Sequence, residues 1–523
     1  MASSLHFLRP ILGFLPEVGA PKVPPSFQEK LMWTAIALLI FFSMYHVTAV
    51  GLDPRYAASS DFLQVVTASK LGSLVTTGIG PIVLASIFLQ LFMGAKLINV
   101  DMKNSEERTE FYGTQKLLAF ILCLFEAWAY VVLGKMTVIS ISLPLIGALA
   151  VSTATFLVVL QIALGSIVLL YLDEVVSKYG IGSGISLFIA AGVALAVVGG
   201  AIDIFTGDGG IAQIVHEGGA QVVANSILVL LPLIFTILVF LVIVYVEGIR
   251  IEVPLAFERA RGIGVGFPIK FTYVSNIPVI LAFALIANFQ LMAAMMVDQH
   301  LCVSGVQVPQ YLNQTDLATG QNVINPDYLA TNACKDGNKS GIDLVNYVGR
   351  ATGGSGEPAT FADGLFYLIS PIYRPLGHNY AGYITTLTTQ TTPVFHIPEA
   401  VHILVYIIFL MAVCVVFGQF WVETTNMGPK EVAEQLDASG MQIPGFRRDP
   451  RMVASILEKY IPPIVVMGSA FVGLLAALAD LTGALGTGTG ILLTVGIIYK
   501  MYQDIENQNV FASSALASGL LGK

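Results

Sequence analysis

This sequence is short of charge. Only 11% of its residues are Asp, Glu, Lys or Arg, against 55% hydrophobic ones and a mean hydropathy of +0.77, which excludes an ordinary soluble globular protein. It is short of histidine too, and the 7 present are scattered without a pair at metal-ligand spacing, so no metal centre is expected. Cysteine is down to 4, and Cys123 and Cys414 fall in apolar runs where a thiol is a packing residue. A nucleotide loop is missing as well: Gly180-x-Gly-x-Gly and Gly486-x-Gly-x-Gly do not continue to Gly-Lys-Ser/Thr, and both open apolar segments. Neither an enzyme nor a cofactor is expected, and any work the chain performs draws its energy from a partner. A cleavable signal peptide is not evident: His6 to Gly19 is amphipathic and Pro-rich, and reads as a segment lying along a membrane surface.

What the chain has in abundance is long apolar runs. Crossing the hydrocarbon core takes roughly 20 apolar residues in a helix, and segments of that kind recur at 31–52, 79–97, 117–134, 153–172 and 185–202, then at 226–247, 271–297, 401–422, 461–479 and 483–502. The expectation is an all-α polytopic membrane protein of ten spans. Val138 to Val151 is short and broken by Pro144, and reads as interfacial or re-entrant. With the first 30 residues inside, the inner segments hold 19 of the 26 Lys and Arg residues, which places both termini in the cytoplasm. Four of the remaining seven lie in one long outer loop, 298–400, whose Gly, Asn, Asp and Thr content over 300–360 marks an exposed insertion. Cys302 and Cys334 both fall there and form a disulfide candidate.

Ten spans divide into two sets of five, 31–202 and 226–502. An odd number per set forces the halves to be inverted relative to each other, and inverted repeats place a functional path at their interface near the midplane. A channel and a secondary transporter of a small solute both satisfy that pattern.

Charge, scarce elsewhere, gathers in one place. The 38 residues from Glu423 to Tyr460 hold 11 of the 60 charged side chains. This island reads Val422-Glu-Thr-Thr-Asn-Met-Gly-Pro-Lys-Glu, then Gly440-Met-Gln-Ile-Pro-Gly-Phe-Arg-Arg-Asp-Pro-Arg, then Tyr460-Ile-Pro-Pro. Together with Gly78-Ile-Gly-Pro-Ile-Val, Lys178-Tyr-Gly-Ile-Gly-Ser-Gly-Ile-Ser, Pro268-Ile-Lys-Phe-Thr-Tyr-Val-Ser-Asn-Ile-Pro and Gly486-Thr-Gly-Thr-Gly-Ile-Leu-Leu, it closely resembles the SecY family in its archaeal form. That family supplies the pore subunit of the Sec protein translocase. The resemblance runs in order over nearly the whole chain except the outer insertion.

The resemblance implies an hourglass channel with an apolar waist at Ile79, Val83, Ile185, Ile189, Ile280 and Leu493, the last with Leu492 as its alternative. Residues four apart share one helical face, so Ile79 with Val83, and Ile185 with Ile189, can each point at one axis; the bland reading of any one of them is packing or lipid contact. The stretch 57–73, with Asp61, Phe62, Leu63, Val65 and Val66, is too polar to span and matches the family's plug. Gly72, Gly78 and Gly80 permit the chain to return. Glu126 and Asn288, polar groups inside spans, match the lateral gate, where a polar contact across the seam would hold it shut; the alternative for Glu126 is a bond within its own bundle.

Two inner loops, carrying Arg250, Arg259 and Arg261, and Arg447, Arg448 and Arg451, match the family's ribosome-docking loops, with Arg447 as the key contact. Arginine suits phosphate because its planar fork makes two bonds and keeps its charge. Implied partners are a clamp subunit of the SecE type and a beta-type subunit forming a heterotrimer, the ribosome, signal sequences and nascent chains, and lipid of the cytoplasmic membrane. The competing readings are an inverted-repeat secondary transporter and a membrane insertase without a transverse pore.

Overall fold

The computed structural model describes residues 6–503 apart from 53–67, 101–103, 258–265, 297–301, 353–359 and 443–449, most of 305–340 and 372–395, and a few shorter stretches. Ten helices stand where the ten apolar runs predict them. They are α1 (Phe27–His46), α2 (Gly80–Gly94), α3 (Ser105–Trp128), α4 (Val151–Tyr179), α5 (Gly184–Thr206), α6 (Val222–Glu247), α7 (Ile277–Met296), α8 (Glu399–Thr424), α9 (Pro450–Leu481) and α10 (488–503). Seven have the length and composition to cross a membrane, whereas α2 has 15 residues.

Two helices start well before their apolar runs, for local reasons. The Asn104 side chain accepts from Glu106 N at 3.1 Å and the first turn of α3 carries Glu106 and Glu107, so capping and the helix dipole favour a start there. α9 opens on Pro450, whose fixed φ suits a first helical position. α1 begins with a reciprocal Ser26 and Glu29 capping box. The apolar run 138–151 forms a short antiparallel pair, Ser142–Leu143 with Gly147–Ala148, rather than a span.

One apolar core joins both halves: Phe41, Val75, Ile87, Phe188, Phe283, Tyr406, Ala476 and Leu492 belong to a single buried cluster. The amino-terminal segment is strapped to the ends of α3 and α4. Lys116 Nζ donates to Pro16 O at 2.6 Å and pairs with Glu174 at 2.7 Å, Lys178 pairs with Glu17 at 2.9 Å, and Tyr179 OH donates to Gly19 O at 2.8 Å.

The two Arg-bearing loops fold as one unit. Arg250–Pro254 pairs antiparallel with Gly266–Lys270, and Ala256–Phe257 pairs with Met441–Gln442 across about 190 residues of sequence. Beneath them Ile269, Val274, Ala433, Leu436, Val453 and Leu457 share a second apolar core. The described residues of the loop 298–400 include short strand pairs, among them Arg350–Thr352 with Thr360–Asp363, and Phe366 lies against Phe289 of α7 at 5.3 Å between ring centres. It is also tied to α8: Tyr367 OH donates to Glu399, and the His402 ring lies 2.9 Å from Glu399 Oε2 and 3.0 Å from Ser370 O. Burial and the Glu399 carboxylate hold the Tyr367 hydroxyl well above its ordinary range.

Candidate functional site

Four helix starts converge on the core, and each is set by a close backbone approach. Ahead of α2 the buried return segment 68–79 turns at Gly72 (φ 82°) and Gly78 (φ 56°), conformations that glycine adopts without strain. It is pressed onto α4 at Gly165, where a Cβ would overlap the Leu74 carbonyl, and Thr77 and Ser166 share a hydrogen bond beside it. Ahead of α7, a Cβ on Gly468 of α9 would stand 2.5 Å from Phe271 O. α5 starts under Asp173 of α4, whose Oδ1 accepts from Ile185 N at 2.8 Å. α10 starts under Asp480 of α9, whose Oδ1 accepts from Thr489 N at 2.8 Å.

The residues expected at the waist belong to, or pack against, one large apolar cluster. Ile79, Val83, Ile189, Leu492 and Leu493 are buried in the common apolar cluster, and the half-buried Ile185 and Ile280 pack against it. Gly182 (φ 77°) and Gly486 (φ 70°) each precede their helix by two residues. Counting from them, Ile189 corresponds to Leu493 and not to Leu492.

At the expected gate, the arrangement differs from a direct contact. Glu126 is 4% exposed on α3, and its Oε1 has no partner among the described residues. Its Oε2 stands 3.2 Å from where a Cβ on Gly80 would be, so Gly80 leaves room for the carboxyl. Asn288 turns back onto its own helix and donates to Ala284 O at 2.8 Å, a local bond available to any amide one turn from a carbonyl. At the other end of α2 an apolar contact crosses between helices: Gly94 lies against the Phe420 ring of α8, with no room for a Cβ.

Of the docking arginines, Arg250 and Arg451 are exposed; Arg259, Arg261, Arg447 and Arg448 lie outside the described residues. So do the plug residues Asp61, Phe62, Leu63, Val65 and Val66, and Cys334 of the disulfide candidate with Cys302. Among the described residues no group of His, Cys, Asp and Glu is placed to hold a metal ion. The polar group that the apolar pattern hides is Asp480 with Tyr406 and Thr489. It sits just past the expected end of its span, and a lone acid at a helix end reads as an ordinary interfacial charge.

The SecY family model matches residues 73–502. The chain belongs to the SecY family. The protein translocase subunit SecY of Methanocaldococcus jannaschii is 39% identical over 516 residues, 99% of each chain. Among solved structures, a protein-conducting channel is 37% identical with a TM-score of 0.69, covering 96% of this chain and 97% of its own. The channel of a canine ribosome-channel complex from the endoplasmic reticulum is 36% identical with a TM-score of 0.66 and the same coverage. Full-length likeness to translocase subunits leaves the small-solute transporter reading without support.

Proposed function

We propose that this chain is the pore-forming subunit of a protein translocase, passing unfolded chains across the cytoplasmic membrane and releasing transmembrane segments sideways into lipid, with both of its termini cytoplasmic. The observation that carries this reading is the single apolar cluster to which both inverted halves contribute a helix start. Ile79, Val83, Ile185, Ile189, Ile280 and Leu493 form its waist. Such a constriction bars ions by dewetting, yet it offers a passing peptide no hydrogen-bond partner to hold it. The stretch 57–73, with Asp61 to Val66, plugs the outer funnel at rest.

The seam between α2–α3 and α7–α8 is the lateral gate. Glu126 and Asn288 flank it, and a signal helix that opens the seam exchanges the apolar Gly94 and Phe420 contact for its own apolar face. On the cytoplasmic side the two Arg-bearing loops share strands and a core, and Arg250, Arg259, Arg261, Arg447, Arg448 and Arg451 are their contacts for ribosomal RNA phosphates. The family relative held in a ribosome-channel complex supports that partner. Small SecE-type and beta-type subunits complete a heterotrimer, the former clamping the two halves.

The test is electrical. The protein reconstituted with its clamp subunit in planar bilayers is expected to be silent at rest and to conduct ions when residues 61–69 are deleted. Silence in both forms would overturn the channel reading.

A further inference from the structure

The buried group at the start of α10 has no part in the waist, the plug or the docking surface. Its three side chains come from three helices: Tyr406 from α8, Asp480 from α9 and Thr489 from α10, with exposures of 0%, 7% and 0%. Asp480 accepts from Thr489 N at 2.8 Å through Oδ1, and from Thr489 Oγ1 at 2.6 Å and Tyr406 OH at 3.2 Å through Oδ2. A carboxyl in an apolar core is costly unless its lone pairs are filled, and this one meets donors from two neighbouring helices. Fully partnered polar groups of this kind specify one arrangement of their surroundings.

The turn that delivers α10 to this group is held as tightly. Gly483, Gly486 and Thr487 have φ of 63°, 70° and 62°. A Cβ on Gly488 would overlap Ala479, and Leu485 N donates to Thr236 Oγ1 of α6 at 2.8 Å. Thr489 lies one helical turn before Leu493 and on the same face. Whatever fixes the height of Thr489 therefore fixes the height of Leu493.

We infer that Asp480, Tyr406 and Thr489 act as positioning residues that lock α10 in register against α8 and α9 and so hold Leu493 in the closed waist. This rests on the assignment of Leu493 to the waist. Shifting α10 along its axis breaks both Thr489 bonds together, and the Tyr406 hydroxyl fixes the carboxylate that receives them, so the waist is held by polar directionality where greasy contacts alone would permit sliding.

The experiment uses the full chain with its clamp subunit, reconstituted in planar bilayers, and compares Tyr406→Phe, Thr489→Val, Asp480→Asn and Leu493→Gly. Each of the first three removes hydrogen-bonding capacity at nearly constant shape. The expected result is a resting ion leak at least about fivefold above the unmodified channel, the factor that one lost hydrogen bond shifts an equilibrium. Thr489→Ser, which keeps the hydroxyl, is expected to stay tight with the same thermal midpoint. If Leu493→Gly leaks while Tyr406→Phe and Thr489→Val stay as tight as the unmodified channel, the positioning role is overturned and the waist stands. If Leu493→Gly is itself tight, the waist assignment fails and takes this inference with it. Should Asp480→Asn not assemble, the Tyr406→Phe and Thr489→Val pair decides alone.

Discussion

The helices α2 to α5 and α7 to α10 repeat the same backbone devices with different side-chain chemistry. In each half a Gly-Ser pair on the fourth helix, Gly165-Ser166 or Gly468-Ser469, receives the backbone six residues before the second helix, at Leu74 or Phe271. In each, an aspartate on the fourth helix caps the fifth at 2.8 Å, Asp173 at Ile185 N or Asp480 at Thr489 N. Each fifth helix starts on a glycine with no room for a Cβ, Gly184 or Gly488. Val83 and Ile280 both occupy the fourth position of their helices.

The polar partners diverge. Ser166 bonds Thr77, whereas Ser469 Oγ has no partner among the described residues. Asp173 also takes the Ser183 hydroxyl, whereas Asp480 takes the hydroxyls of Thr489 and Tyr406. Close backbone approach admits only glycine, so those positions cannot drift without loss of packing. A cap, by contrast, can be satisfied by several chemistries. The lesson is that the two halves share a frame and differ in the polar contacts added to it.

The sharpest way to break the comparison is to fill its glycines. Gly165→Val and Gly468→Val are each expected to cost about 3 kcal/mol or more, read as a lower thermal midpoint of the detergent-solubilised complex, with Gly165→Val the worse because its Cβ meets the neighbouring carbonyl more closely. Equal tolerance at both sites would show that the backbone contacts are not equivalent anchors.

Next come the caps. Asp173→Ala is expected to lose about 1 kcal/mol, as for other helix caps, and Asp480→Ala roughly 3 kcal/mol because it leaves buried donors on α8 and α10 unpaired. Chemical denaturation in lipid nanodiscs would rank them, and the reverse order would contradict the divergence described above. Replacing Ile189 or Leu493 with Asn is expected to raise the resting leak to a similar degree, since both sit at the same step of their repeat. A leak from one alone would break the pseudo-symmetry of the waist.

Smaller effects belong to the unit built by the two Arg-bearing loops. Arg250→Glu or Arg451→Glu is expected to weaken ribosome binding and to lower its dependence on log salt by about one phosphate contact each, measured by co-sedimentation across a salt series. The smallest is Tyr273→Phe. The Tyr273 hydroxyl donates to Met427 O at 2.8 Å and ties the two loops together, and burial pushes its pKa up to about 12. A raised pKa favours the protonated form in the fold, so this tie is complete below the ordinary phenol value and is lost only as pH rises through about 12. Removing it is expected to cost about 1 kcal/mol at neutral pH, seen as earlier proteolysis of the loops.

By itself, the sequence determined the class, the ten helices and the inverted halves. Hydrocarbon thickness imposes a length on every apolar run, and an odd count per half imposes the inversion. It also announced the charged island, because charge is conspicuous where it is rare. Leu493 could not be told from Leu492 in the sequence, since neighbouring leucines in an apolar helix carry no mark of the face they occupy. Counting from the matching turns at Gly182 and Gly486 pairs Ile189 with Leu493.

Asn288, expected at the gate, is half-buried and donates to Ala284 O one turn away on its own helix. Gly94 carries no mark in the sequence of the Phe420 ring, from a segment about 325 residues later, that lies against it. Asp480 passed for an interfacial charge until Tyr406 and Thr489 closed around it. Each of these depends on which side chains from distant segments meet at one depth. Hydrophobicity is additive along the chain and can be read from it, whereas hydrogen bonds and close packing are directional and short-ranged, so only the folded arrangement decides them.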